Sequence, residues 1–242
     1  IEVQLVKEGK VVCSVVQKLT IYAVTLPKQT IMHTEWMHAD CLADYYQVEV
    51  FSEEHWQILE NYFHEYVKRG CNMMLTPLFT SPLDTAVGLE RTTTQLIEVE
   101  VKDGEYYFGF DKMKRWIDLC KKCGIEYFEM SHLFSQWGAK YAPKVVAMVD
   151  GREEKIFGWH TPAVGEYTRF LESFLPQLIA KLREWEIADV TYFHISDEPR
   201  EEDLESYKAA KESLGNMLDG FHTFDALSSY EFYRHGLIDK PI

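Results

Sequence analysis

Two neighbouring carboxylates, Asp197 and Glu198, follow a short apolar run and precede a proline in the segment Tyr192-Phe193-His194-Ile195-Ser196-Asp197-Glu198-Pro199. Close carboxylates can part their pKa values, so that one stays ionised while the other keeps its proton and serves as an acid. That division of labour is what cleavage of a glycosidic bond requires. Pro199 withholds a backbone donor and is expected to restrict Glu198 to extended conformations. Along a regular strand neighbours point to opposite faces, so both acids serve one pocket only if the strand bends there. The competing reading is a helix start enriched in acid, with Asp197 as N-cap and Glu198, Glu201 and Glu202 complementing the dipole. Two acids behind a buried apolar strand are more than a cap needs.

Other groups recur where strands are expected to end. Glu35, Trp36, His38 and Asp40 follow the first; Thr76, Asp84 and Arg91 the second; Glu129, His132, Gln136 and Trp137 the third. His194 belongs to the fourth and Asp225 to the fifth. Of these, Trp36, His38, Asp40, His132, Trp137, His194 and Asp225 are expected to bind substrate around the catalytic pair Asp197 and Glu198. A single strand histidine is as readily a satisfied core residue, so it is the convergence that carries the expectation. His132 and His194 with Asp40 or Asp225 could also form a metal site. No compact ligand spacing such as H-E-x-x-H supports it, and no metal or other cofactor is expected.

The elements that must position these groups alternate. Val3 and Leu5, a turn at Gly9, and Leu19, Ile21 and Ala23 read as strands up to Leu26-Pro27. From Lys28 onward the texture is of strands alternating with amphipathic helices, the pattern of βα units around a parallel sheet. Strands are predicted over 30–37, 72–78, 125–130, 190–195 and 220–224. Helices are predicted from the N-cap Ser52 to Gly70, from Asp111 to Gly124, from Thr161-Pro162 through Leu182, and from Glu201 to Leu218. Asp103-Gly104 and Asp150-Gly151 predict two hairpins, over 97–108 and 145–157, read either as walls of the site or as surface ornament. The fold class is therefore α/β: a (β/α) TIM-barrel-like domain over 28–242, after the last strands of a β-sandwich over 1–27. Five parallel strands do not close an eight-stranded barrel, so the barrel is expected to be incomplete in this chain and its N-terminus to be absent.

Bulk properties narrow the partners. The 242 residues include 25 Lys and Arg against 39 Asp and Glu, a net charge of −14, with no basic stripe for tracking phosphates. No apolar run reaches the ~20 residues of a membrane span, and no signal peptide is visible, which leaves the location undetermined. Cys13, Cys41, Cys71, Cys120 and Cys123 are too sparse for a disulfide scaffold; the pair Cys120 and Cys123 lies in a helical pattern and reads as structural.

Four segments, Trp36-Met-His-Ala-Asp-Cys-Leu-Ala, Thr76-Pro-Leu-Phe-Thr-Ser-Pro-Leu-Asp-Thr, Glu129-Met-Ser-His-Leu-Phe-Ser-Gln-Trp-Gly and Phe193-His-Ile-Ser-Asp-Glu-Pro, resemble the bacterial domain-of-unknown-function 4091 group, related to glycoside hydrolase family 123. The resemblance covers most of the chain from Pro27. It implies a retaining β-N-acetylgalactosaminidase or near relative, with a β-sandwich before a TIM-like barrel and a carbohydrate or glycoconjugate as substrate. It further implies that the nucleophile is the substrate's own 2-acetamido oxygen, that Asp197 orients this group, and that Glu198 protonates the leaving oxygen and then activates water. A retaining glycosidase with a protein nucleophile on a later strand, and a barrel that binds carbohydrate without turnover, are the alternatives.

Overall fold

Glu8-Gly9 is the first place where the chain reverses, and it does so with both residues at positive φ, 51° and 75°. That geometry matches the right-handed twist of the antiparallel strands it joins, β1 (Glu2–Lys7) and β2 (Lys10–Val16). The computed structural model describes residues 1–25, 27, 29–83, 85–238 and 240–241. It divides into two compact units, Ile1–Ile31 and Met32–Ile242. Every residue of β1 and β2 is exposed. The alternation between Leu19 and Ala23 yields no strand; among the described residues of this unit only β1 and β2 form a ladder. Leu26 and Lys28, at the expected domain boundary, lie outside the described residues.

The second unit runs α1 (Ala39–Tyr46), α2 (Glu53–Lys68), β3 (Met73–Thr76), β4 (Glu98–Lys102), β5 (Glu105–Gly109), α3 (Asp111–Cys123), β6 (Tyr127–Met130), β7 (Val145–Val149) and β8 (Arg152–Phe157). It continues with α4 (Glu166–Glu184), β9 (Thr191–Phe193), α5 (Leu204–Ser213), β10 (His222–Asp225), α6 (Glu231–Arg234) and β11 (Lys240–Pro241). The fold is mixed α/β with two sheets. One has the order β11-β10-β9-β6-β3 and is parallel throughout. Its edges, β3 and β11, do not meet, so the described residues contain no closed barrel.

The helices follow local signals. Ser52 caps α2 by accepting from the His55 N–H at 3.2 Å, and Glu53 and Glu54 occupy the positive first turn. Gly124 ends α3 at φ 99°, the left-handed conformation that glycine adopts without a Cβ clash. Trp116, Ile117 and Cys120 of α3 are fully buried, and Trp116 meets Phe63 of α2 edge-on at 5.0 Å. All five cysteines are unpaired thiols, with Cys120 and Cys123 on this buried face.

The two Asp-Gly hairpins form as the sequence predicts, and they pair with each other. β4 and β7 run parallel, giving a four-stranded sheet of order β5-β4-β7-β8. Phe170 of α4 packs against Tyr106 (5.0 Å), Phe108 (5.5 Å) and Phe157 (5.1 Å) of this sheet. The hairpins are thus tied into the core.

Four expectations are corrected. Residues 30–37 form no strand; the segment touches β3 only at its start, where the His33 carbonyl accepts from the Asn72 and Met73 N–H groups. Helix α1 (Ala39–Tyr46) lies ahead of the helix expected to open at Ser52, where no element is predicted. The helix expected at Thr161-Pro162 starts at Glu166, because Pro162 is held in a bridge with Tyr141. The helix expected over 201–218 is a 3-10 turn at Glu201–Asp203 followed by α5 alone.

Candidate active site

Because the five strands are parallel, their C-terminal ends lie along one edge of the sheet. Thr76, Glu129, His194 and Asp225 all fall there. On one sheet face Met73, Tyr192 and Phe224 form a small buried cluster with Tyr127 against it. Above them sits a polar network.

His194 is fully buried between two carboxylates, with Nε2 2.9 Å from Glu129 Oε2 and Nδ1 3.0 Å from Asp225 Oδ1. Burial alone would push the imidazole pKa down. Hydrogen bonds to Asp225 and Glu129 outweigh it and raise the group to about 9. Both ring nitrogens therefore donate, and His194 is an imidazolium at neutral pH.

Asp225 is the hub beneath the acid pair. Its Oδ1 accepts from the Ile195 N–H at 3.1 Å as well as from His194, and its Oδ2 accepts from the Ser196 N–H at 3.1 Å and the Tyr207 hydroxyl at 2.6 Å. Burial pushes its pKa up, while His194, Tyr207 and the Ser196 N–H pull it back. With two donors on each oxygen there is no free lone pair for a proton, and we take Asp225 as the carboxylate. Its four partners fix the backbone immediately before Asp197.

Glu129 is held from the other side. Trp36 Nε1 donates to Oε2 at 3.2 Å, and the Thr34 hydroxyl donates to Oε1. Tyr66 secures this segment to β3: its hydroxyl accepts from the Glu35 N–H at 2.8 Å and donates to the Met73 carbonyl at 2.7 Å. Burial pushes the Tyr66 phenol up to about 12.

His132 stacks on His194 at 4.2 Å, and Trp36 meets both rings edge-on at 5.1 and 5.5 Å. Neither nitrogen of the buried His132 has a hydrogen-bond partner. Its pKa is lowered well below the ordinary value, by burial first and by the charges of His194 and His38 next. Donor atoms of His132, His194 and Asp225 lie within 4.8 Å of one another, a spacing a metal could use. The donor set does not fit: His194 spends both nitrogens on carboxylates, leaving no lone pair to give.

Asp197 is half-buried and Glu198 exposed, on a bend just beyond β9. Glu198 has φ 41°, so the extended backbone expected before Pro199 is not adopted. A left-handed conformation at a glutamate followed by proline is strained, and such strain gathers at functional sites. The chain leaves the regular alternation of a strand at this bend. It is pinned from β6's loop, where Trp137 N–H donates to the Asp197 carbonyl at 2.8 Å.

The expected residues thus fall into three places. Trp36, His132, His194 and Asp225 form one network with Glu129. Asp40 is buried apart from it, bonded by both oxygens to Arg91 at 2.8 and 3.1 Å, in a small recess also lined by His38, Thr80 and Thr94. Trp137, 37% exposed, borders a separate cavity. Asp197, Glu198, Trp36 and His132 are not among the residues that line that cavity. Asp84 lies outside the described residues. Sequence reasoning missed Thr34, Tyr66 and Tyr207, whose types and spacing read as ordinary core.

A family model described as glycoside hydrolase 123, catalytic domain, matches residues 36–242. Among solved structures, one described as a family 123 glycoside hydrolase from Clostridium perfringens, in work on glycolipid glycan hydrolysis, aligns with TM-score 0.63 at 18% identity. The alignment covers 85% of this chain and 36% of that one, so the chain spans little more than a third of that relative's length. At such identity the likeness is one of fold. No curated protein matches the chain.

Proposed function

The chain belongs to the family of glycoside hydrolase 123 catalytic domains, and on that premise we propose that it carries the catalytic acids of a retaining exo-β-N-acetylgalactosaminidase or close hexosaminidase. The observation that carries this reading is the acid pair Asp197 and Glu198, on a strained bend at the C-terminal edge of a parallel sheet, where barrel enzymes keep their catalytic groups. In this reading the parallel sheet is part of a TIM-like barrel, and β1 and β2 are the end of a β-sandwich.

The reaction uses the substrate's own acetamido group. Its carbonyl oxygen attacks C1, the bond from C1 to the leaving oxygen breaks, and Glu198 gives its proton to that oxygen. The half-buried Asp197 orients the acetamido N–H and stabilises the positive charge of the oxazolinium ring that forms. Water then attacks C1 and loses a proton to Glu198, which reopens the ring with the original anomeric configuration. Trp36 offers an aromatic edge to the sugar, with Glu129 fixing its indole.

Screening the whole protein on aryl N-acetyl-β-hexosaminides and on a plain aryl β-galactoside tests this. Turnover of the first and not of the second is expected. Turnover of the plain galactoside would point instead to a protein nucleophile, and sugar binding with no turnover to a non-catalytic barrel.

A further inference from the structure

Glu60 and His64 stand four residues apart on α2, so their side chains share one face of that helix. Cys123, the last residue of α3, meets them there. Its Sγ lies 3.8 Å from His64 Nε2, and the same nitrogen lies 3.8 Å from Glu60 Oε1. A sulfur, a nitrogen and a carboxylate oxygen thus converge from two helices. Their backbones are close at this point, since a Cβ added to Gly124 would already touch Val67 Cγ1 at 3.4 Å. No compact ligand motif announces the group in the sequence, because His64 and Cys123 are 59 residues apart.

The thiol makes only long contacts, 4.0 Å to the Glu60 carbonyl and 3.8 Å to His64. Burial first, and the charge of Glu60 next, raise its pKa, so it holds its proton at neutral pH. Glu60 is ionised, its pKa lowered chiefly by the hydrogen bond from Lys122, whose Nζ is 2.5 Å from Oε1. Lys122 and His64 are exposed side chains, so both can shift and the cluster is open to solvent. Cys120, one turn earlier on α3, is fully buried and takes no part.

We propose that Cys123, His64 and Glu60 are a zinc site that clamps α2 to α3, with water as the fourth ligand. Zinc holds sulfur at about 2.3 Å and imidazole nitrogen at about 2.0 Å, and a tetrahedral angle between those bonds sets the two donors about 3.6 Å apart. The separation here is 3.8 Å. On binding, the S–H bond of Cys123 breaks, its proton passes to solvent, and the electron pair left on sulfur forms the bond to zinc. His64 gives the lone pair of Nε2 and keeps its ring proton on Nδ1. Glu60 turns its carboxylate from Lys122 to the metal, whose double charge replaces the ammonium. A thiolate and an imidazole select zinc over magnesium or calcium, which take oxygen ligands. The C-terminal turns of α2 and α3 lead into β3 and β6, so the site lies towards the N-terminal ends of those strands, away from Glu129 and the acid pair. The metal is therefore structural, and the site does not depend on the glycosidase reading.

Calorimetry with zinc chloride on the whole protein, freed of metal by a chelator, tests this. The wild type is expected to bind zinc with release of about one proton, read from the dependence of the heat on the buffer. His64→Ala and Cys123→Ser should each bind at least about tenfold more weakly, since even outer partners of a metal site are worth that much. With cobalt chloride the wild type should show sulfur-to-cobalt charge-transfer absorption, and Cys123→Ser, which keeps the other four cysteines, should lose it. Saturating zinc should raise the melting temperature of the wild type and not that of His64→Ala. His64 is exposed, so its variant decides the matter if Cys123→Ser fails to fold. No zinc binding by the wild type, binding undiminished in His64→Ala, or cobalt binding without the sulfur band would each overturn the site.

Discussion

His132 and His194 lie ring on ring, 4.2 Å between centroids and 21° between planes, in opposite electrostatic states. His194 has a carboxylate on each nitrogen and is raised to about 9; His132 has no partner and is lowered well below its ordinary value. The charge stays on one ring because a second imidazolium stacked on the first would meet both burial and repulsion.

The ring resonances should therefore titrate far apart. In an NMR titration His194 is expected to stay protonated through neutral pH with a midpoint near 9, and His132 to stay neutral well into acid. The folded pKa of His194 exceeds its unfolded value of about 6.5, so its contribution to stability is complete below that value and lost as pH rises through about 9. Melting temperature should fall across that upper step, and less so in His194→Gln. An identical fall in both would sink the assignment.

Removing Asp225 leaves a buried imidazolium half-paired and two N–H groups, those of Ile195 and Ser196, without acceptors. Asp225→Ala is expected to cost about 3–5 kcal/mol in denaturant unfolding, the scale for breaking a buried ion pair. Amide exchange at Ile195 and Ser196 should rise more than at Thr191. Unchanged exchange there would show that Asp225 does not hold the bend.

The two acids should differ in their dependence on the leaving group. On the proposed mechanism Glu198→Gln removes proton donation, so its first step should largely recover on a very acidic phenol. On the same mechanism Asp197→Asn weakens charge stabilisation on the sugar side and should stay slow on every leaving group. Each loss on an ordinary leaving group is expected to be roughly 10²-fold or more. Pre-steady-state measurement of the first step checks this, and identical dependence in the two variants would contradict the assigned roles.

Gly138 is the tightest glycine near the site. A Cβ there would sit 2.6 Å from Asp203 Cβ, at φ 101°. Gly138→Ala should destabilise the fold by at least the ~1–3 kcal/mol of such a backbone conformation and displace Asp203 from Lys140. An unchanged melting temperature would mean that the loop has room the structure does not show.

Elements whose signals are local were legible in the sequence. The Asp-Gly turns, the Ser52 cap and the Gly124 stop each act within a few residues, and β4 to β8, α2 and α3 appear where those signals put them. What failed depends on partners far along the chain. Residues 30–37 have strand-like alternation but meet β3 only at its start, and the pairing of β4 with β7 joins two hairpins that look independent. At the site, His194 and Asp225 were visible as polar groups at strand ends, yet their use in holding the bend was not. That use requires Tyr207, a mid-helix tyrosine indistinguishable from core, and the pairing of His194 with Glu129, which the sequence marks only as another polar group at a strand end.

The contrast between the two sheets also sets an order of assembly. Each hairpin of the mixed sheet closes over a two-residue turn, an event of about 1–10 μs. Every pairing in the parallel sheet must instead wait for a long intervening stretch to be brought round, which is slow because closure entropy comes before contact. Pulse-labelled hydrogen exchange during refolding should protect the amides of β5 and β8 before those of β9. Asp197 and Glu198, beyond β9, then acquire their geometry in the last steps of folding, and a nascent or half-folded chain has its two hairpins before the β4–β7 pairing joins them and before the bend that carries these acids is set.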